Sequence, residues 1–145
     1  MQKSYKGFSL IEILIVVALI IILATITIVA INPAKNFEDT RNAQRSADVS
    51  QILNAVTQYT SEEGNSIADF TGISTCGDAA TESSIGTGGV DLAALLVDEF
   101  IVAIPTDPST GTDAVTGYTI CRTTSGRVQI DAPAAEGGKV ISVKR

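Results

Sequence analysis

The chain has 145 residues, two cysteines, no histidine and no tryptophan, and its formal net charge is −6 because acidic residues outnumber basic ones 16 to 10. The lack of histidine excludes Ser-His-Asp and Cys-His catalysis, histidine metal ligation and the usual general base near neutral pH, so no cofactor is expected. An acidic surface poor in aromatic side chains repels nucleic acid and anionic lipid and offers little for base stacking, which argues against nucleic acid as a partner.

In chain order the first feature is a pair of lysines, Lys3 and Lys6, followed by Gly7 and a long apolar run. Residues 13–31 carry no charge and rise about 28 Å as a helix, close to the roughly 30 Å of bilayer hydrocarbon. Positive charge lies only on the N-terminal side, so the positive-inside rule holds the first residues in the cytoplasm and sends the chain beyond Ile31 outward. A cleaved secretory signal has a shorter apolar run, about 7 to 15 residues, ending in a small-x-small site; here Ile28 stands where a small residue belongs before Ala30. A permanent anchor explains the length but not Glu12, since a carboxylate costs about 2.5 to 3.5 kcal/mol at a membrane helix centre.

The residues Lys6-Gly7-Phe8-Ser9-Leu10-Ile11-Glu12 resemble the cleavage and methylation motif of the type IV pilin superfamily, which includes the pseudopilins of type II secretion. The resemblance implies a cut after Gly7 by a membrane aspartyl peptidase, the prepilin peptidase, and N-methylation of the new terminus at Phe8. Glycine suits that position because a backbone without a side chain enters a narrow protease cleft. Removing Lys3 and Lys6 with the leader takes the side-chain charge from −6 to −8. Glu12 lies four residues beyond Phe8, on the same face of a helix that includes both, where a carboxylate meets a positive α-amine. The family places that amine on a neighbouring subunit, which gives Glu12 a role in subunit registration. Two departures stand out: Ile21 and Val29 occupy positions where many bacterial pilins carry glycine and proline. The first helix breaker here is Pro33, so a kink or melted turn is expected within residues 25–33.

Beyond Pro33, the residues Phe37, Val49, Ile52, Leu53, Val56 and Tyr59 recur at helical steps, with Arg41, Arg45, Asp48 and Gln51 expected to face elsewhere. Gly64 with Asn65 is a stop signal. One helix from Phe8 to about Ser61 would be roughly 80 Å long. Lys35, Arg41 and Arg45 could serve a DNA-binding face, but Glu38, Asp39 and Asp48 interleave with them, and a solvated face or an intersubunit charge match is the preferred reading. Residues 66–89 read as a surface loop. Asp91 is expected to cap a short helix over 90–96, residues 105–111 form a turn, and strands are expected at 117–122, 127–131 and 139–143.

Asp107, Ser109, Gly111 and Asp113 alternate in the manner of a calcium loop, and major pseudopilins hold calcium in a neighbouring region. Thr112 and Tyr118, however, stand where an EF-hand needs glycine and glutamate, so a structural turn is preferred over a metal site. Cys76 and Cys121, exported to an oxidising space, are expected to form one disulfide, with a buried free pair as the alternative. Roughly one hundred residues remain after the first helix, enough for one sheet on one helix.

The expected fold is α+β and pilin-like, with a long N-terminal helix, membrane-spanning in its first half, packed against a small antiparallel sheet. Its divisions are a leader at 1–7, an apolar filament-core half at 8–31, an amphipathic half at 32–64 and a head with a three-stranded sheet at 65–145. The resemblance implies a structural subunit of a type IV pilus-type filament and no enzyme. Its expected partners are further copies of itself, the prepilin peptidase, the pilus assembly platform and, before assembly, the inner membrane. A secretion pseudopilin is the alternative. An anchored exported enzyme, working through Asp98 and Glu99, is a distant one, because adjacent carboxylates usually point apart.

Overall fold

The computed structural model describes residues 7–77 and 82–145. The leader lysines Lys3 and Lys6 and positions 78–81 of the expected loop lie outside the described residues. The chain divides into two compact units, Met1–Phe37 and Glu38–Arg145.

The first unit is built on α1 (Leu10–Ile31), none of whose side chains is buried. Its two hydroxyl side chains hydrogen-bond inside the helix: Thr25 Oγ1 donates to the Ile21 carbonyl and Thr27 Oγ1 to the Leu23 carbonyl, both at 2.8 Å. No side-chain hydroxyl is thereby offered bare to an apolar surrounding. The long helix expected from the sequence is interrupted at Asn32, inside the 25–33 stretch where a kink was expected, and Asn32 adopts a left-handed conformation with φ 45° and ψ 74°. Pro33 explains the interruption, because its ring disfavours right-handed helix at the residue before it. Asparagine tolerates the left-handed region better than other side chains. Asn32 then starts α2 (Pro33–Ser61), its Oδ1 accepting from the Lys35 backbone N–H at 3.4 Å, with proline in the favoured first helical position.

In the second unit α2 buries Val49, Ile52, Leu53, Val56 and Tyr59. Phe37, which the sequence grouped with them, is 64% exposed. Arg45 and Asp48, expected to face away, are instead buried. The correction has a periodic cause: Asn42, Arg45, Val49, Ile52, Leu53, Val56 and Tyr59 all lie on one stripe at three- and four-residue steps, and that stripe faces the core. α2 stops at Ser61, and Gly64 with φ 95° turns the chain away.

Among the described residues the sheet contains β1 (Ser74–Thr75), β2 (Ser83–Ser84), β3 (Thr119–Arg122), β4 (Val128–Asp131) and β5 (Ser142–Lys144), which corrects the expected three strands to five. The hairpin and meander β3-β4-β5 is antiparallel, with Ile120 opposite Ile130 and Ile130 opposite Val143. β1 and β2 share the other edge of β3 end to end, β1 parallel to it and β2 antiparallel, so the sheet is mixed. β5 sits further toward the C-terminus than its expected 139–143, because Val128 exchanges both backbone hydrogen bonds with Arg145 at 3.0 Å each. Ile120, Ile130 and Val128 point into the core with the α2 stripe, joined by Ile85, Val90, Leu92, Leu96 and Tyr118. The expected helix over 90–96 is one turn, α3 (Ala93–Leu96), because Val90 is drawn into a bridge with Ile85. Leu92 occupies the cap position, and Asp91 Oδ1 accepts from the Ala93 N–H at 2.9 Å one step earlier than expected.

Candidate functional site

Gly7, Phe8 and Ser9 precede α1 as exposed, non-helical chain. A Cβ on Gly7 would meet nothing within 4 Å, so the segment is open to an approaching cleft. Ser9 is extended (φ −73°, ψ 144°), and its carbonyl accepts the N–H groups of Glu12 at 3.1 Å and Ile13 at 3.2 Å. Glu12 therefore sits in the first turn of α1, where the helix dipole favours a carboxylate. Phe8, 79% exposed, lies one residue before the cap. It is off the helix, so the four-residue spacing does not by itself place Phe8 and Glu12 on a shared face. Behind them the helical stretch that begins with α1 is long and apolar enough to cross a membrane.

A second constellation lies where α2 meets the C-terminal segments of Glu38–Arg145. Arg45, fully buried, donates from Nε to Asp107 Oδ2 at 2.6 Å, from Nη2 to Ser109 Oγ at 2.7 Å and from Nη1 to Glu136 Oε1 at 2.9 Å. Arg41 donates from Nε to the same Glu136 Oε1 at 2.7 Å and from Nη2 to Glu136 Oε2. Asn42 closes the group, donating to the Glu136 carbonyl at 3.0 Å and accepting the Glu136 N–H at 2.9 Å. Burial alone would raise the Asp107 carboxyl. The donors from Arg45, Ser109 and Thr110 outweigh it and hold that group well below the usual carboxylate range. Arg41, and then Arg45, hold Glu136 down at about 2. Nearby, burial first and the hydrogen bond to Asp48 next push the Tyr118 phenol far above its usual value, so it stays a neutral donor to Asp48 Oδ2 at 2.6 Å. Among the described residues no buried side-chain polar atom is left without a partner.

These contacts decide several sequence expectations. Arg45 is neither a solvated surface charge nor free for a neighbouring subunit or DNA, since its donors are engaged within its own chain. Asp107 is committed to Arg45 and to the turn it organises, where its Oδ1 accepts from the Ser109 N–H at 2.9 Å and the Thr110 N–H at 3.0 Å. Gly111 is required there, as a Cβ would come within 2.4 Å of the Asp107 nitrogen. Asp113 is exposed, and the second calcium candidate is not among the partners of Asp107. Asp98 and Glu99 are exposed side chains on the turn after α3. Cys76 and Cys121 are joined in a disulfide with Cα atoms 4.9 Å apart. The sequence reading missed Glu136, Asn42 and Tyr118. Asn42 and Arg45 could have been found from the α2 stripe, whereas nothing local marks Glu136, which sits in a turn 91 positions beyond Arg45.

Comparison with known proteins gave no match among curated proteins or among solved structures. Residues 2–28 match the family profile of the prokaryotic N-terminal methylation motif. That stretch holds Gly7, Phe8, Glu12 and most of α1, and beside it stands an α+β fold with a long N-terminal helical region and a small mixed sheet. The chain thus carries the prepilin-type N-terminal motif of the type IV pilins and pseudopilins.

Proposed function

We propose that the chain is made as a precursor, cut between Gly7 and Phe8, methylated on the new Phe8 amine and assembled through α1 into a type IV pilus-type filament. The observation that carries this reading is α1 itself: 22 residues, none buried, with Glu12 its one charge. So much exposed apolar surface demands a cover. The inner membrane supplies it before assembly, with residues after Ile31 outside, and the apolar helices of neighbouring copies supply it afterwards. Cutting at Gly7 frees a positive amine four residues before Glu12. In apolar surroundings that carboxylate needs a partner, and an amine on an adjacent copy both neutralises it and fixes its height in the array. The prepilin peptidase makes the cut, and the assembly platform draws subunits from the membrane. The product is a structural polymer on the cell surface rather than a catalyst.

The test is to shear producing cells, image the released filaments and determine the N-terminal mass of their subunit. Extracellular filaments whose subunit begins at N-methylated Phe8 are expected, and Glu12→Ala should abolish them while cleavage proceeds. Met1 retained on all of the protein would sink the proposal. Processed subunits confined to short periplasmic filaments would instead select the secretion pseudopilus.

A further inference from the structure

Charged groups with no ion-pair partner among the described residues collect at the two ends of β3. Where β3 begins, Ile85 accepts from the Thr116 N–H and donates to the Tyr118 carbonyl, both at 2.9 Å. Beside them opens a pocket of about 230 Å³ lined by Ile85, Leu92, Val97 and Ile104, with Asp91 and Asp113 also in its wall. Both aspartates are exposed, and among the described residues neither faces a cation. Where β3 ends, Arg122 lies opposite Val128, Val128 is bonded to Arg145, Lys144 precedes it on β5, and Arg127 sits on the β3–β4 turn. The remaining cations of residues 38–145, namely Arg41, Arg45 and Lys139, are each held in an ion pair. The four at this end have no carboxylate partner among the described residues.

Arg127 stands out among the four. Its backbone closes the turn, the carbonyl accepting from the Thr123 N–H at 2.8 Å and the N–H donating to Thr123 Oγ1 at 3.0 Å. Its side chain is left exposed on the tip. An arginine has an apolar stem and a cationic fork, so a pocket with aliphatic walls and two unpaired carboxylates has the chemistry to hold one. The four residues of β3 alone separate the two ends by about 13 Å, so one molecule cannot close this contact on itself. A second copy can, and a contact between different patches of identical chains repeats into an open helical array whenever the rotation between copies does not close a ring.

We propose that Arg127 of one copy seats in the pocket walled by Asp91 and Asp113 of the next, linking successive heads along the filament. This contact rests on the filament reading and adds to it a defined pair of surfaces outside α1.

The experiment uses the full-length protein in producing cells, with a photoreactive side chain at the exposed Thr124 and Arg127 intact. An intermolecular adduct mapping to residues 85–113 of the second copy is expected. Arg127→Glu should lower its yield about tenfold or more, and Asp113→Arg in the same chain should restore it. Retention of the Cys76–Cys121 disulfide in each variant shows that the head has folded. An adduct mapping elsewhere, no adduct, or a yield indifferent to Arg127→Glu overturns the contact. Sheared filaments are scored in parallel. Filaments without the adduct overturn the contact alone, whereas the adduct without filaments overturns the filament reading and leaves the contact standing.

Discussion

Arg45 is a charge that the fold has taken entirely out of water, and such burial is tolerated only when every donor finds an acceptor. Asp107, Glu136, Asn42 and Ser109 together provide those acceptors. Replacing Arg45 by alanine would strand the buried Asp107 carboxylate and leave Glu136 with Arg41 alone. We expect Arg45→Ala to cost about 3 to 5 kcal/mol of stability, measured by denaturant unfolding of the full chain in detergent micelles. The loss should also depend on pH. Both carboxylates are depressed in the folded state, so their contribution is complete above their ordinary values of 3.8 and 4.5. It fades as pH falls, for Glu136 toward about 2. The gap between wild type and variant should therefore be widest near neutrality and shrink in acid. A gap that widened in acid would refute the assignment.

The division of the helical stretch into α1 and α2 is set by two adjacent residues with complementary defects. Pro33 cannot donate a backbone hydrogen bond and crowds the residue before it, while Asn32 can occupy the left-handed region and hydrogen-bond the next helix with its own side chain. Pro33→Ala removes the steric ground for the break. The outcome we expect is a return of Asn32 to right-handed geometry and a continuous helical ladder through residues 29–36. Backbone chemical shifts of the full chain in micelles would report it, and a left-handed shift persisting at Asn32 would show that proline is not the cause. The sheet shows the opposite case, in which local signals are too short to act. β1 and β2 have two residues each, and no alternation of side chains can be read from two positions.

Across the whole of Glu38–Arg145, a loop with few large apolar residues is kept on the sheet by the Cys76–Cys121 disulfide and by β3, to which both β1 and β2 pair. The cross-link spans 45 positions. Chain-entropy reasoning puts such a closure near 4 kcal/mol as an upper guide. Cys76→Ser with Cys121→Ser should lower stability by about 2 to 5 kcal/mol and make the thermal midpoint indifferent to reductant. Amide exchange should quicken first at residues 74–76, whose pairing with β3 runs beside the bond. Equal midpoints for wild type and double variant would show that the sheet edge holds without it.

What the sequence determined by itself is confined to local and periodic signals. A charge-free run as long as a bilayer is thick and the apolar members of the α2 stripe from Val49 to Tyr59 each lie within a few turns of helix, where spacing maps directly onto geometry. The antiparallel meander was legible for the same reason, since three short alternating runs stand between turn residues. Only the tertiary structure decided that Arg45 and Asp48 turn inward, that Arg45 is the partner of Asp107, and that residues 74–84 add two strands to the edge of β3. Each of these depends on a partner far along the chain. Burying a charge is excluded locally and becomes possible only when a distant carboxylate arrives to meet it.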